Sequence, residues 1–236
     1  MINYAHRGAS EYAPENTMSS FYLGLLQGAN GIETDVQKTK DGYLVLFHDS
    51  TVDRVTDSHG KISDYTLNEL QKLKVYGNCT TGFFDRIVTL EDFLNTFSKY
   101  DIAFALELKG KGVEKETLEL TEKYGVLDRT VFTSFEIDYI KKIKEFNKKA
   151  KVGLLTSIVN DDILRELKKI GAEQICPKAE IIDLQLIQRC KADRLDIRAW
   201  GVSNVLMMKK MCELKVDGMT VNFPDRLFEH LRGIYD

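Results

Sequence analysis

Proline is scarce: Pro14, Pro177 and Pro224 are the only ones in 236 residues. There is no low-complexity tract, no linker-like stretch and no repeat of fixed period, so neither a disordered chain nor a solenoid is expected. No apolar run approaches the ~20 residues needed to cross a bilayer, which excludes stable membrane insertion by a helix. The first residues lack a basic segment followed by an apolar one, so no signal peptide is expected. The four cysteines, Cys79, Cys176, Cys190 and Cys212, show no CxxC spacing. They read as reduced thiols of a cytoplasmic protein rather than a disulfide framework or zinc site. No charge sign dominates: 33 basic against 36 acidic residues leave a net −3. That balance gives no electrostatic case for nucleic acid or an anionic membrane as partner. No heptad or exposed apolar helix marks an oligomer interface.

What is present is alternation. Short apolar segments that read as strands are separated by amphipathic helical stretches, the pattern of βα units and a parallel sheet. Extended segments fall at 2–5, 31–36, 43–47, 102–108, 130–134, 152–156, 174–176, 196–202 and 218–221. The helix at 17–27 places Met18, Phe21, Leu25 and Leu26 on one face. Residues 67–73 read as a small helix and 76–84 as a loop. Nine extended segments are one too many for an eight-stranded barrel. Only an Asp41-Gly42 turn separates 43–47 from the strand before it, and a parallel neighbour needs a crossover of a dozen residues or more. The segment is therefore expected to be the return arm of a hairpin at the barrel rim. The expected fold is α/β, a TIM (β/α)8 barrel in one domain spanning 1–236, with a small insertion, 50–88, after the second strand.

The chemistry gathers where these strands end. Glu33 and Asp35 alternate with Ile32, Thr34 and Val36, so both carboxylates should point into the barrel mouth while the apolar residues meet helices. Glu107 and Lys109 alternate in the same way with Leu106 and Leu108. Buried carboxylates placed together need a cation or a shared proton. Three hard-oxygen donors suit Mg²⁺ or Ca²⁺; the alternative is a set of rim salt bridges in which Lys109 partners Glu107. His6 and Arg7 follow the first strand, and His48, with Asp49 beside it, ends the hairpin. Two imidazoles near one cation form an acid and base pair, and Arg7 suits a phosphate or carboxylate. The blander reading of either histidine is a core or capping role, and His59 and His230 take only that one. No ligand spacing supports zinc at His6 and His48. Glu15 is expected to orient His6 or Arg7, Asn16 or Thr17 to cap the following helix, and Trp200 to wall a small-ligand site or simply fill core. Asn222 faces the site or serves a turn.

In order along the chain, His6-Arg7-Gly8, Pro14-Glu15-Asn16-Thr17, Glu33-x-Asp35, Thr39-Lys40-Asp41-Gly42, His48-Asp49, Thr89-Leu90, Glu107-Leu108-Lys109, Ser134-Phe135, Trp200 and Asp217-Gly218 together resemble the glycerophosphodiester phosphodiesterase family. Each piece is weak alone; the ordered set is specific and spans almost the whole chain. The resemblance implies a phospholipase C-like TIM barrel that hydrolyses a glycerophosphodiester to sn-glycerol 3-phosphate and an alcohol. It implies one divalent cation on Glu33, Asp35 and Glu107, acid/base roles for His6 and His48, and a phosphate held by Arg7 and Lys109. Two departures stand out: Asn222 replaces a frequent aspartate, and Trp200-Gly201-Val202-Ser203-Asn204 replaces Trp-Thr-Val-Asn. Rival readings are a related phosphodiesterase acting on lysophospholipid or phosphoinositide, a catalytically silent phosphate-binding barrel, and a glycoside hydrolase. The last leaves Arg7, Lys109 and two histidines unexplained.

Overall fold

A computed structural model describes residues 1–77 and 83–234. The chain runs β1 (Ile2–His6), α1 (Met18–Leu26), β2 (Gly31–Lys38), β3 (Leu44–Leu46), α2 (Leu67–Leu70), β4 (Val75–Tyr76), β5 (Phe84–Asp85), α3 (Leu90–Phe97) and β6 (Ala103–Leu108). It continues with α4 (Glu114–Lys123), β7 (Thr130–Ser134), α5 (Ile137–Phe146), β8 (Lys151–Thr156), α6 (Asp161–Ile170), β9 (Gln174–Pro177), α7 (Leu184–Ala192), β10 (Asp196–Val202), α8 (Val205–Glu213), β11 (Gly218–Val221) and α9 (Pro224–Leu231). Eight strands pair in parallel in the order β1-β11-β10-β9-β8-β7-β6-β2, and β1 pairs with β2 to close the ring. This is the expected TIM barrel. No helix among the described residues is long and apolar enough to cross a membrane.

The barrel closes because its strands are apolar outward. Ile32, Val36, Leu106, Leu108, Phe132 and Ile197 are all buried against the helices, each contributing about 1.5–3 kcal/mol by leaving water. The interior is polar by contrast. Arg198 of β10 reaches across it, donating to Gln174 Oε1 (3.1 Å) on β9, Thr220 Oγ1 (2.8 Å) on β11 and Thr133 Oγ1 (3.3 Å) on β7. Its guanidinium lies 5.3 Å from the Tyr4 ring centre. Gly153 of β8 leaves room for this cluster, since a Cβ there would come within 3.1–3.3 Å of Gln174, Thr133 and Cys176.

The segment after β2 is the expected hairpin. β3 pairs antiparallel with β2, Val36 opposite Leu46. Tyr43 belongs to the turn, because its N–H donates to Thr39 Oγ1 (2.9 Å). Phe47 N–H donates to Asp35 O (3.0 Å), so the hairpin delivers His48 at the height of the strand carboxylates. The insertion then packs Val52, Ile62, Leu70, Val75 and Ile87 against Val45 and Phe47 of the hairpin, a small apolar cluster separate from the main core.

Three sequence expectations change. The segment 76–84 is not simply a loop: Val75 and Tyr76 pair with Asp85 and Phe84 in a short antiparallel ladder. Strands of two residues are too short to leave an alternation pattern. Cys79, in the same segment, lies outside the described residues. Leu26 is 83% exposed, because it sits about 80° round the helix from the Met18 position at 100° per residue, off the Phe21 face. The small helix expected over 67–73 stops at Leu70, and Gln71 and Lys72 continue only as a turn. Thr17 caps α1 in a reciprocal capping box with Ser20.

Candidate active site

The C-terminal ends of β1, β2 and β6 stand side by side, with His6 opposite Glu33 and Asp35 opposite Glu107 in the strand register. Glu33, Asp35 and Glu107 are all buried, and each offers an oxygen within 4.8 Å of the others. Lys109 Nζ lies 2.9 Å from Glu107 Oε1 and 3.6 Å from Asp35 Oδ1. Arg7 Nε lies 3.2 Å from Asp35 Oδ2, and its Nη1 donates to Glu15 Oε1 (2.9 Å). The chain reaches this geometry through a left-handed Arg7 (φ 54) followed by Gly8 (φ 82). A Cβ on Gly8 would sit 2.4 Å from Ser20, so only glycine fits there.

Asn16, also left-handed, spans the same group. It donates to Asp35 Oδ2 (2.9 Å) and accepts from Thr34 Oγ1 (2.7 Å). Its part is therefore to hold Asp35, while Thr17 does the capping. Glu15 orients Arg7, one of its two expected partners. Gln37, the next inward position on β2, donates to the carbonyls of Phe47, His48 and Asp49 and fixes the hairpin end.

The charges are unevenly distributed. Burial pushes Glu33 up to about 8, and Asp35 and Glu107 beside it add to the rise. Burial and Asp35 likewise raise Glu107 to about 7. Burial opposes ionisation of Asp35 as well, but Arg7, Lys109 and the Asn16 amide outweigh it and hold the carboxyl down at about 2. Two of the three carboxylates thus lack enough nearby positive charge to ionise readily, and Asp35 Oδ1 is buried with no hydrogen-bond partner. A hard divalent cation meets both deficits, so the donor set fits one. Among the described residues this is the only group of three or more carboxylate, imidazole or thiol ligands able to face a single ion. Neither histidine belongs to it.

The two imidazoles flank the carboxylates with different partners. His6 Nδ1 is 2.6 Å from Asn222 Oδ1, an acceptor that leaves the proton on Nδ1 and turns Nε2 toward Glu33, 3.9 Å away. Burial, and then the Arg7 charge, lower His6 to about 4, so it is neutral near pH 7. His48 Nδ1 is 2.6 Å from a carboxylate oxygen, Asp49 Oδ1. Trp200 donates from Nε1 to Thr156 O (3.2 Å) and meets Phe135 edge-on, ring centres 5.2 Å apart. A 260 Å³ cavity at the mouth is lined by His48, Ser50, Glu107, Lys109 and Phe135; Trp200 does not line it but packs against Phe135, which does. His59 pairs with Asp53 in the insertion, away from this group.

These shifts carry a stability prediction. With divalent ions chelated, folded Glu33 and Glu107 keep protons to about pH 8 and 7, which the unfolded chain releases near 4.5. Their stabilisation is complete below that ordinary value and is lost as pH rises through the folded values. His6, lowered to about 4, acts oppositely, and only below its ordinary value of about 6.5. Between about pH 6.5 and 8 the carboxylates are left to dominate. A thermal-melt series in chelator should therefore show Tm falling across that window, and added Mg²⁺ or Ca²⁺ should flatten it. A Tm unaffected by the cation would contradict this.

A closed parallel barrel with an acid cluster at its C-terminal mouth places the chain in the TIM-barrel class, and solved barrels similar to it are phosphodiesterases. One, an Oleispira antarctica phosphodiesterase in complex with the product sn-glycerol-3-phosphate, superposes with a TM-score of 0.87 at 26% identity, covering 97% of this chain and 96% of its own. A glycerophosphodiester phosphodiesterase of Caldanaerobacter subterraneus subsp. tengcongensis is 31% identical over 97% of this chain and 96% of itself. One of Bacillus altitudinis is 32% identical over 94% and 95%. The profile of the glycerophosphoryl diester phosphodiesterase family matches residues 6–226, and the chain belongs to that family.

Asn16, Gln37, Arg54 and Arg198 are site residues that sequence reasoning did not assign. Gln37 and Arg198 were detectable: each continues an inward alternation, Glu33-Asp35-Gln37 and Arg198-Trp200. Asn16 was hidden behind its suitability as a cap. Nothing in the sequence marks Arg54, whose contacts depend on how the insertion folds back.

Proposed function

We propose that the chain hydrolyses glycerophosphodiesters to sn-glycerol 3-phosphate and an alcohol, with Glu33, Asp35 and Glu107 holding one divalent cation, Mg²⁺ or Ca²⁺. When bound, the cation supplies positive charge against the phosphate oxygens as the transition state forms. Arg7 and Lys109 face the same anion from either side of Asp35 and add to that stabilisation. Phe135 and Trp200 border the substrate at the mouth. The observation that carries the reading is the pair of differently partnered histidines beside the acid cluster.

Those partners divide the roles. His6 is neutral, its Nδ1 proton is engaged by an uncharged amide, and its Nε2 lone pair faces the cluster. That is a base, taking the proton of the attacking hydroxyl, whether of water or of the substrate's own glycerol. His48 has a carboxylate at Nδ1, which fixes the ring and leaves it the part of the acid that protonates the departing alkoxide.

The test is release of sn-glycerol 3-phosphate from glycerophosphocholine and glycerophosphoglycerol. Release is expected, with loss on chelation and recovery on adding Mg²⁺ or Ca²⁺. Tight phosphate binding without release from any headgroup would favour the silent barrel. Release only from lysophospholipid would favour the lipid-directed reading.

A further inference from the structure

Arg54, in the insertion, joins two parts of the site that arise from different segments of the chain. Its Nε donates to Asp49 Oδ2 (2.5 Å), while Nη2 and Nη1 donate to Glu15 Oε1 and Oε2 (2.7 and 2.9 Å). Asp49 holds His48 through its other oxygen, and Glu15 holds Arg7. Arg7 in turn lies 3.2 Å from Asp35. Basic side chains and carboxylates therefore alternate without a break from His48 to the acid cluster, and Arg54 is the link that crosses from the insertion to the β1–α1 loop.

We propose that Arg54 is a positioning residue that sets His48 and Arg7 relative to each other. The inference rests on the roles assigned above to those two residues. The guanidinium is suited to this because its two edges meet two carboxylates at once, which a lysine ammonium cannot do with the same geometry. Isolated surface ion pairs contribute little. Here, however, one partner, Glu15, is largely buried and engaged bidentately, and both partners are tied to functional side chains. Arg54 does not carry the fold of the insertion. Its side chain is 46% exposed, and the insertion is already anchored by the Val52, Ile62, Leu70 and Val75 cluster and by Arg86 on the carbonyls of Lys72 and Leu73. The insertion thus acts as part of the acid's mounting, beyond any role as a cover over the mouth.

The test compares Arg54→Met, Arg54→Lys and a control, Arg86→Met, which loosens the insertion away from the site. Arg54→Met should lower kcat/KM for glycerophosphocholine about 10²-fold, the scale of an ångström-sized misplacement, with kcat reduced and KM raised. Arg54→Lys should fall within about threefold of it, and Arg86→Met should stay near wild type. Glu15→Gln and Asp49→Asn should combine to less than the product of their separate effects with Arg54 present, and should multiply once it is Met. Independently of turnover, the Nδ1-bound proton of His48 in ¹⁵N-histidine spectra should shift or broaden in both Arg54 variants and not in Arg86→Met. An unmoved His48 signal, full rescue by lysine, or multiplicative effects in the Arg54 background would each overturn the proposal. If the wild type releases no product from any diester, the functional reading fails, and the His48 spectrum still decides the Arg54 assignment.

Discussion

Replacing His6 or His48 by alanine is expected to lower kcat for a glycerophosphodiester by about 10²–10⁴-fold, the usual contribution of a positioned general acid or base. The fold should survive both changes, since each histidine lies at the mouth with its side chain about 30% exposed. The reasons for the two losses differ. His6, beside Arg7 and partly withdrawn from solvent, stays neutral; without it the proposed base is gone, and Asp35, held acidic by Arg7 and Lys109, is no substitute. His48 is oriented by Asp49 at Nδ1, and Asp49 is itself fixed by Arg54. On the proposed division of roles, an alkyl alcohol leaves as a bare alkoxide once His48 is gone.

The second large effect is on stability. Arg198→Met is expected to cost about 3–5 kcal/mol, the range seen when one member of a buried charged set is removed. The guanidinium is fully buried among Gln174, Thr220 and Thr133, and its charge also faces Glu33 and Glu107 and lowers both carboxyls. Loss of it leaves polar partners unsatisfied and pushes both glutamates further up. In chelator the cost measured by denaturant midpoint should be larger at pH 8 than at pH 5, because at pH 5 both glutamates are already protonated and gain nothing from the arginine. Equal costs at the two pH values would show that Arg198 serves only through its hydrogen bonds.

How much of this was legible in the sequence depends on whether a residue's partner is local. The barrel was legible because its signal is periodic: outward apolar residues alternate on strands such as β2, β6 and β10, and the misfit of 43–47 with a crossover exposed the hairpin. Glu33, Asp35 and Glu107 were legible for the same reason, as inward positions on strands whose other face had to be apolar. The acid cluster, both histidines, Arg7 and Lys109 do come together where alternation and the family resemblance placed them. What the sequence concealed were contacts set by long loops. Glu15 lies 39 residues from Arg54, and His6 lies 216 residues from Asn222. No spacing rule reaches that far. Asn222, which the sequence offered to the site or to a turn, engages His6 Nδ1 and fixes its tautomer, while burial and the Arg7 charge keep the ring neutral.

The division of labour between the histidines is tested most directly by changing the leaving group. The measurement is kcat/KM of the wild type, His6→Ala and His48→Ala with glycerophosphocholine and with a p-nitrophenyl ester of glycerol phosphate, whose phenolate departs without protonation. His48→Ala is predicted to lose about 10²-fold or more on the choline ester and under about tenfold on the nitrophenyl ester, while His6→Ala loses about 10²-fold or more on both. A His48→Ala deficit of the same size on both esters, or a His6→Ala deficit that disappears on the nitrophenyl ester, would contradict the assignment.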